Sequence, residues 1–514
     1  MLARAAAADG ADARASARFA AALASAPDNA LIATQALTHA VAAGDWALAL
    51  QAARVLERQQ ALLPDARFLL VAEAFRDGDW RAAERQIDAV EREQLFAFAV
   101  PILRAWLAHG SDRGNPLDRL ERAGEGGIAA AYAAEHRLLL LAAAGRAVEP
   151  ESIAGAGPRA MRVRIAAAAA RAGRGDRAGA LALLAGDQAP LPAARALVEA
   201  GRPLPGRLDG PAEGIAELFV RMALDLHSQE LSSVAVSFAH LATWLAPDNA
   251  EARIVAAELL SRQDRHDAAV ELLAGVADGD LYAAAARDQR IRLLSEAGEE
   301  ARALAEAEAA AAAPGASTAD RARLGEVLIG LDRPADAARA FARAIEARAP
   351  DEVAYPEWAL WLQLGGAYDE AEDWPRSRDA LERAYALAPD QPLVLNYLGY
   401  AQLERRENMA EAERLVREAH RLAPDSAAIT DSLGWALFLK GEREEAIGLL
   451  EQAVAGAPAD VEINEHLGDA YFTVGRRVEA RFAWAAARVY AEGDDAARLD
   501  AKIAGGLTPQ LAAR

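Results

Sequence analysis

The residue types that most often carry chemistry are scattered along this 514-residue chain. It contains no cysteine, which excludes disulfides, thiolate metal ligands and a cysteine nucleophile. The histidines form no HExxH or HxxxH pair with a suitable acid, so a zinc-hydrolase site is not predicted. His466 directly precedes Leu467-Gly468 and is expected to be a packed or half-exposed helix residue rather than a ligand. The eight histidines are His39, His109, His136, His227, His240, His266, His420 and His466.

Phosphate-binding and acid–base motifs are also missing from the sequence. No GxGxxG follows a strand-like segment, and no GxxxxGK[ST] is present. The GRGDR segment at 173–177 is expected at a turn between helices. Adjacent carboxylates, such as Glu444-Glu445 and Asp494-Asp495, are interpreted as exposed charge, because a glycosidase-like pair needs a cleft that holds a sugar. The sequence therefore predicts no enzyme, no cofactor and no metal.

The composition indicates helices and a protein partner. Acidic residues number 77 against 56 Lys and Arg, a net charge of −21, which disfavours nucleic acid because its binding relies on cations at the phosphates. Apolar residues make up 53% of the chain and aromatic residues only 6%. Alanine, leucine, glutamate and arginine predominate, and these residues favour helix. The chain exceeds the roughly 250–300 residues of a single core, and no stretch approaches the roughly 20 apolar residues of a membrane span.

An internal repeat is the strongest pattern. Leu-Gly pairs recur through the C-terminal third, and their last four glycines are 34, 35 and 34 residues apart. Prolines follow the same spacing. Two antiparallel helices with two short turns need about 34 residues, which explains the spacing. Glycine and alanine lie where the helix backbones approach closely. Proline ends the second helix, because it lacks a backbone N–H and cannot continue a helix. The recurring residues are Gly325, Gly365, Gly399, Gly434 and Gly468, with Pro389, Pro424 and Pro458.

The best units match the first-helix pattern of a tetratricopeptide repeat, as in Trp361-x2-Leu364-Gly365-x2-Tyr368. This resemblance implies an all-α fold: a solenoid of helical hairpins wound into a right-handed superhelix. Gly44-Asp45-Trp46 and Gly78-Asp79-Trp80 extend the spacing to the N-terminal half. Between them and the regular repeats lies an irregular segment with GEGG at 124–127. We predict N-terminal repeats over 1–110, a degenerate helical segment with a Gly/Pro-rich hinge over 111–213, a C-terminal array over 214–505 and a tail over 506–514.

The C-terminal block resembles a group of bacterial tetratricopeptide proteins. The likeness is carried by NYLGY at 396–400, DSLGW at 431–435, EHLGDAY at 465–471 and GRRVEARFAW at 475–484. Members of this group are commonly exported, often as outer-membrane lipoproteins. The best understood are adaptors that dock a periplasmic C-terminal processing protease and present cell-wall hydrolases to it. The resemblance therefore implies a protein or peptide partner of this kind.

The compartment depends on what precedes Met1. This chain carries neither an export signal nor a lipidation cysteine. Residues 1–9 resemble the remnant of a helix, and a solenoid normally ends in a complete or capped unit. We therefore expect an upstream signal that directs the protein to the periplasm or outer membrane; without one, the cytoplasm is expected.

First helices should line the concave face of the superhelix, where a partner would bind. Residues flanking the Leu-Gly pairs combine aromatic side chains, which serve as interface anchors, with carboxylates that would attract a basic, apolar segment. The alternative is that these aromatic residues pack between helices. A self-assembling solenoid and, less favoured, an enzyme or carbohydrate-handling protein are the other functions considered. The predicted partner-binding residues are Asn396, Tyr400, Asp431, Trp435, Phe438, Glu465, Asp469 and Phe472.

Overall fold

The computed structural model describes residues 12–123, 126–153, 157, 159–186, 188–349 and 355–513. Over these ranges the chain forms 29 α-helices and two short 3₁₀ helices, and no strand. The predicted all-α, tetratricopeptide-type solenoid is confirmed. The helix remnant expected at residues 1–9 and the start of the GEGG segment lie outside the described residues. The chain divides into two compact units, Met1–Ala303 and Leu304–Arg514, called here unit 1 and unit 2.

Unit 1 holds α1 to α17 and the start of α18. The pairs up to residue 93 are regular, whereas several helices between 111 and 213 have fewer than ten residues. The helices are α1 Asp12–Ser25, α2 Ala30–Ala43, α3 Trp46–Arg58, α4 Arg67–Asp77, α5 Trp80–Glu93, α6 Val100–Ser111, α7 Pro116–Leu120, α8 Gly127–Ala143, α9 Pro150–Ile153, α10 Ala160–Ala172, α11 Arg177–Leu183, α12 Leu191–Glu199, α13 Pro211–His227, α14 Ser232–Leu245, α15 Ala250–Ser261, α16 His266–Ala274, α17 Ala283–Glu296 and α18 Glu300–Ala312.

Unit 2 is the regular array, in which a first helix and a second helix alternate. Its first helices are the odd-numbered ones from α19, and α29 follows the last complete pair. The helices are α19 Thr318–Gly330, α20 Pro334–Ala347, α21 Glu357–Glu370, α22 Trp374–Leu387, α23 Pro392–Glu404, α24 Met409–Leu422, α25 Ala427–Lys440, α26 Arg443–Gly456, α27 Val461–Thr473, α28 Arg477–Tyr490 and α29 Gly493–Gly505.

Local capping chemistry sets the helix boundaries. The Ser426 hydroxyl accepts a hydrogen bond from the backbone N–H of Ile429 at the start of α25, and the Asp460 carboxylate does the same for Ile463 at the start of α27. These contacts satisfy donors that a helix N-terminus leaves unpaired. In unit 1, Gly44 ends α2 in the left-handed conformation and Asp45 caps α3. The repeated turn residues of the sequence are thus capping residues.

The glycine of each Leu-Gly pair lies where two helices of a hairpin touch. A Cβ built on Gly434 would lie 2.9 Å from Leu450 Cγ and 3.3 Å from the Ala446 carbonyl oxygen. At Gly468 the obstacle is the Trp484 indole, whose Cδ1 would be 2.3 Å away. Any larger side chain must push the second helix off the first. The 34-residue spacing of these glycines therefore reports the hairpin contact.

Replacing Gly434 by leucine is expected to lower the free energy of unfolding by about 1–3 kcal/mol or more, because overpacking a close contact strains both helices. Gly448, on α26, is the matched control, since a Cβ there meets no atom within 4 Å. Gly448→Leu should leave stability unchanged or raise it, because glycine is a poor helix former. Urea denaturation followed by circular dichroism measures both. Equal midpoints for the two variants would contradict the assigned contact.

In unit 1 the face formed by the first helices is covered by the chain itself. Helix α13 packs against α4, α6 and α8, and α14 packs against α2 and α4. Four phenylalanines meet at this contact, with ring centroids 5.1–5.7 Å apart for Phe68 against Phe96, Phe219 and Phe238. The helix after the Gly/Pro-rich hinge therefore returns onto the N-terminal repeats. Within the described residues of unit 2, no helix that is distant in sequence makes a comparable contact with the first helices.

Candidate binding surfaces

The structure places the eight predicted residues on three successive first helices of unit 2, α23, α25 and α27. Their burial differs sharply. Four of them, Asp431, Trp435, Glu465 and Asp469, are buried, and the other four, Asn396, Tyr400, Phe438 and Phe472, are half-buried.

Trp435 is a core residue of this face. Its side chain is 1% exposed, and its indole stacks between the rings of Phe438 and His466, at centroid distances of 4.8 Å and 4.0 Å. His466 is itself fully buried, which decides between the packed and half-exposed positions expected from the sequence. Since the indole is filled on both faces by its own chain, a partner could reach only the edge of this stack.

All three predicted acids, Asp431, Glu465 and Asp469, are paired within the chain, whereas the expected attraction of a basic segment needs unpaired carboxylates, so that expectation is wrong for these residues. Asp431 Oδ2 lies 2.9 Å from His466 Nδ1. Glu465 receives two hydrogen bonds from the Arg498 guanidinium, at 2.7 and 2.8 Å, and Asp469 receives two from Lys502 Nζ at 2.7 and 2.8 Å. Each partner comes from the next odd-numbered helix, because equivalent positions face each other along the array.

The chain after the last pair therefore closes the end of unit 2. Helix α29 supplies Arg498 and Lys502, and the backbone N–H of Ala513 donates to Asp469 at 2.8 Å. Leu507 packs against the same core as Trp484. The predicted tail at 506–514 thus contributes contacts in its described part. The sequence contains a signal for these contacts: Arg498 and Lys502 are four residues apart, and each lies 33 residues after the acid with which it pairs.

The Asp431–His466 pair makes unit 2 sensitive to pH. Burial lowers the pKa of His466, but the carboxylates of Asp431, Glu462 and Asp469 together raise it more, so that the net pKa lies above its ordinary value of 6.5. A raised histidine pKa stabilises the fold below pH 6.5, and that contribution is lost as pH rises through the folded-state value.

We therefore expect the stability of unit 2 to fall as pH rises above 6.5. In His466→Gln this part of the pH dependence should disappear, because no imidazolium remains to pair with Asp431. Urea midpoints of both proteins, measured from pH 5.5 to 8.5, supply the comparison. Parallel curves for wild type and variant would contradict the pairing.

Half-buried polar groups remain on the first-helix face beside this core. The Tyr400 hydroxyl donates to Glu462, and the carboxylates of Glu462, Glu404 and Asp431 add to burial in raising the pKa of Tyr400. Asn396 Oδ1 is buried and has no hydrogen-bond donor among the described residues. The surface therefore offers acceptors near two tyrosines, Tyr397 and Tyr400.

Further acids continue this face toward α21. Burial, with the neighbouring carboxylates of Asp332 and Asp369, raises the pKa of Glu370, and Asp369 pairs with Arg405. The neighbouring carboxylates act on Glu370 because a like charge nearby disfavours its ionised form. A cationic ligand group would relieve that repulsion. The set Asp369, Glu370, Asn396, Tyr397, Tyr400, Glu404 and Glu462 is called the acidic face below.

Unit 1 contains a buried ionic cluster that the sequence analysis missed. The Glu217 side chain is fully buried and accepts hydrogen bonds from Arg159 at 2.6 Å and Arg162 at 2.8 Å. Asn249 Nδ2 donates to the same carboxylate at 3.0 Å. These residues join α10, α13 and the loop before α15. Because their separations in sequence reach 58 residues, no local pattern could have paired them.

The ionic cluster forms one wall of a cavity of about 830 Å³ in unit 1. Arg162, Glu217 and Glu251 reach it, together with Tyr282 and the half-buried Asp280. Burial raises the pKa of Tyr282 and of Asp280. The Arg162 guanidinium is already engaged by Glu217 and by the Gly206 carbonyl oxygen at 2.7 Å, so the charged wall is neutralised internally. The cluster holds the helices of unit 1 together.

Two other classes of site are absent from the described residues. No group of three or more His, Asp or Glu side chains there is arranged to hold a metal ion. None of the helices that the structure describes combines the length and the apolar character needed to cross a bilayer.

Comparison with known proteins points to the same type of repeat. No family model matches the chain. A TPR repeat-containing protein of Pseudomonas aeruginosa is 29% identical over 86 residues, which cover 17% of this chain and 15% of that protein. The chain therefore spans only a small part of that relative's length.

Solved structures resemble the chain in their repeats. A thermophilic TPR protein from Thermus thermophilus has 24% identity and a TM-score of 0.32, covering 37% of this chain and 98% of its own. A chain of the APC/C hetero-tetramer Cut9–Hcn1 has 13% identity and a TM-score of 0.41, covering 99% and 95%. Likenesses at this level say nothing of partners, so the function must be inferred from the surfaces of the chain itself.

Proposed function

We propose that this protein is a non-catalytic adaptor that binds a segment of a partner protein on the acidic face of unit 2. Tetratricopeptide-type solenoids generally mediate protein–protein interactions. The observation that carries the proposal is the difference between the two units. The first-helix face of unit 1 is covered by α13 and α14, whereas the described part of unit 2 leaves its acidic face uncovered.

The chemistry of the acidic face specifies the partner segment. Glu370 and Glu462 are exposed, and Tyr397 and Tyr400 present half-buried rings. Arginine or lysine side chains would satisfy the acceptors, and apolar residues would cover the rings. Carboxylates that repel an acidic ligand chiefly set specificity and association rate. A basic, apolar peptide segment fits best.

The more specific role is that of a periplasmic adaptor, in which the partner is a C-terminal processing protease or a cell-wall hydrolase. This part rests on the resemblance of residues 318–505 to exported adaptors of that kind. It requires an export signal upstream of Met1, and the genomic reading frame decides that point. An in-frame stop codon just before Met1, with no alternative start, would favour the cytoplasm and remove this role.

Affinity capture with the whole chain, from native membranes and periplasm, tests the proposal. We expect a small set of proteins, identified by mass spectrometry, whose capture is lost in Glu370→Lys/Glu462→Lys. The matched control is Glu418→Lys, which reverses a charge on α24 in an exposed pair with Arg421. Capture that is equal in both variants would refute binding at the acidic face. If Glu370→Lys/Glu462→Lys abolishes capture but the captured proteins include no protease or hydrolase, only the role as a periplasmic protease adaptor is refuted.

A further inference from the structure

The outer face of α28 carries an exposed apolar stripe. The side chains of Val478, Phe482 and Val489 are 64%, 72% and 73% exposed, and Ala485 between them is also exposed. Their spacing of four, three and four residues aligns them along one side of a helix. At 1.5 Å per residue the stripe runs for about 16 Å. Val478, Phe482, Ala485 and Val489 are called the α28 stripe.

Equivalent second helices of unit 2 are charged or small at these positions. The buried residues fix the alignment, because Ala480, Trp484 and Ala487 correspond to Ala446, Leu450 and Ala453 of α26 and to Ala412, Val416 and Ala419 of α24. The repeat therefore does not require an apolar outer face, and the stripe is a particular property of α28. In α22, α24 and α26 the position of Phe482 is held by Asp379, Arg414 and Gly448, and that of Ala485 by Glu382, Arg417 and Glu451.

Arginines border the stripe on one side. Arg477, Arg481 and Arg488 follow each other at spacings of four and seven along the helix, so they share one edge. Arg477 lies over the Phe472 ring and Arg488 pairs with Asp500, whereas Arg481 is exposed. This edge of the helix is positively charged, although the chain as a whole has a net charge of −21. It would favour carboxylates on whatever covers the stripe.

We propose that the α28 stripe is a docking surface for an amphipathic helix of another protein, whose apolar face is bordered by aspartate or glutamate. A straight apolar stripe between ridges of side chains is the surface on which a helix packs. Phe482 would be the buried anchor, and Arg481 would meet the acidic border. This partner differs from the basic segment proposed for the acidic face of unit 2, so one protein could connect two partners of opposite charge.

Two other occupants fit less well. In an antiparallel pairing of two copies, the same edges of the two helices meet, so the arginine edge would face itself. A lipid surface favours large side chains such as tryptophan and leucine together with a basic protein, whereas this stripe is mostly valine and alanine and the chain is acidic.

Fluorescence anisotropy with the full chain tests the proposal. The probes are two labelled helical peptides of about five turns, with leucines along one face, bordered by glutamates in one peptide and by lysines in the other. We expect the glutamate peptide to bind, and Phe482→Asp to weaken it at least about tenfold, as loss of a hot spot does. Arg481→Glu should weaken the glutamate peptide and strengthen the lysine peptide.

Controls separate docking from folding. Phe482→Asp introduces the residue type found at Asp379, and its thermal melt should match wild type. Leu393 on α23 is 58% exposed, and Leu393→Asp should leave binding unchanged. The proposal is overturned if the glutamate peptide does not bind, or if Phe482→Asp binds it as wild type does. It is equally overturned if Phe482→Asp abolishes self-association in sedimentation velocity, or binding to anionic phosphatidylglycerol vesicles, since another occupant would then fill the stripe.

Discussion

Replacing Trp435 by alanine is expected to lower the free energy of unfolding of unit 2 by about 3–5 kcal/mol, as for other large aromatic residues removed from a core. The indole is 1% exposed and stacks on Phe438 and His466. Its loss leaves a cavity between α25 and α27 and deprives the buried His466 ring of its neighbour. Hydrogen exchange followed by mass spectrometry should show the loss of protection concentrated in these two helices.

The matched control for this variant is an aromatic residue of the same unit that packs little. Phe482 is 72% exposed, so Phe482→Ala should change stability by no more than about 0.5 kcal/mol. If Trp435→Ala melts like wild type, the stack does not exist as described, and Trp435 would instead be available to a partner. If both variants lose stability equally, burial does not separate their roles.

Removing the Glu217 carboxylate should destabilise unit 1 by about 3–5 kcal/mol, because breaking a buried ion pair leaves the remaining charges uncompensated. Both Arg159 and Arg162 depend on it, and their side chains are 3% and 7% exposed. Glu217→Ala removes the carboxylate that both guanidinium groups share, leaving Arg159 with Glu251 at 3.2 Å and Arg162 with the Gly206 carbonyl oxygen. Urea denaturation measures the loss, which should be local to unit 1.

The response to pH gives this second prediction an independent check. The net pKa of Glu217 lies below its ordinary value: burial raises it, but Arg162 and Arg159 lower it more. A depressed carboxyl pKa contributes stability above pH 4.5 that is lost as pH falls through the folded-state value. In Glu217→Ala, this decrease in the free energy of unfolding at low pH should be absent. Glu418→Ala is the control, because its pair with Arg421 is solvent-exposed and exposed pairs contribute little to stability. A Glu217→Ala variant as stable as this control would contradict the cluster's role.

The periodic parts of the fold were predictable from sequence. Hairpin contacts recur at fixed spacing, so the positions of Gly434 and Gly468 within the repeat identified them as contact residues. The structure confirms this, because a Cβ at either position would meet atoms of the second helix. Capping residues such as Ser426 were equally local. Such features depend on residues within one or two helices, which is why sequence pattern reveals them.

Burial on the first-helix face was harder to predict. Trp435 and Asn396 occupy comparable faces of successive helices, yet the first is enclosed by Phe438 and His466 and the second is half-buried. Only the packing between pairs decides this. The pairing of Glu465 with Arg498, and the return of α13 onto α4 and α6, likewise depend on distant segments. The domain boundaries and the partner-binding role of the eight residues remain predictions.

Site-specific photo-crosslinking tests whether a partner protein binds at the acidic face. A photoreactive phenylalanine analogue is placed at Asn396, on the acidic face, and separately at Arg414, an exposed position on α24. The account predicts a crosslink to a partner protein from position 396, absent from position 414 and lost when Glu370→Lys/Glu462→Lys is added. A crosslink of equal yield at both positions, or none at 396 in cells that produce the protein at its native level, would contradict binding at this face.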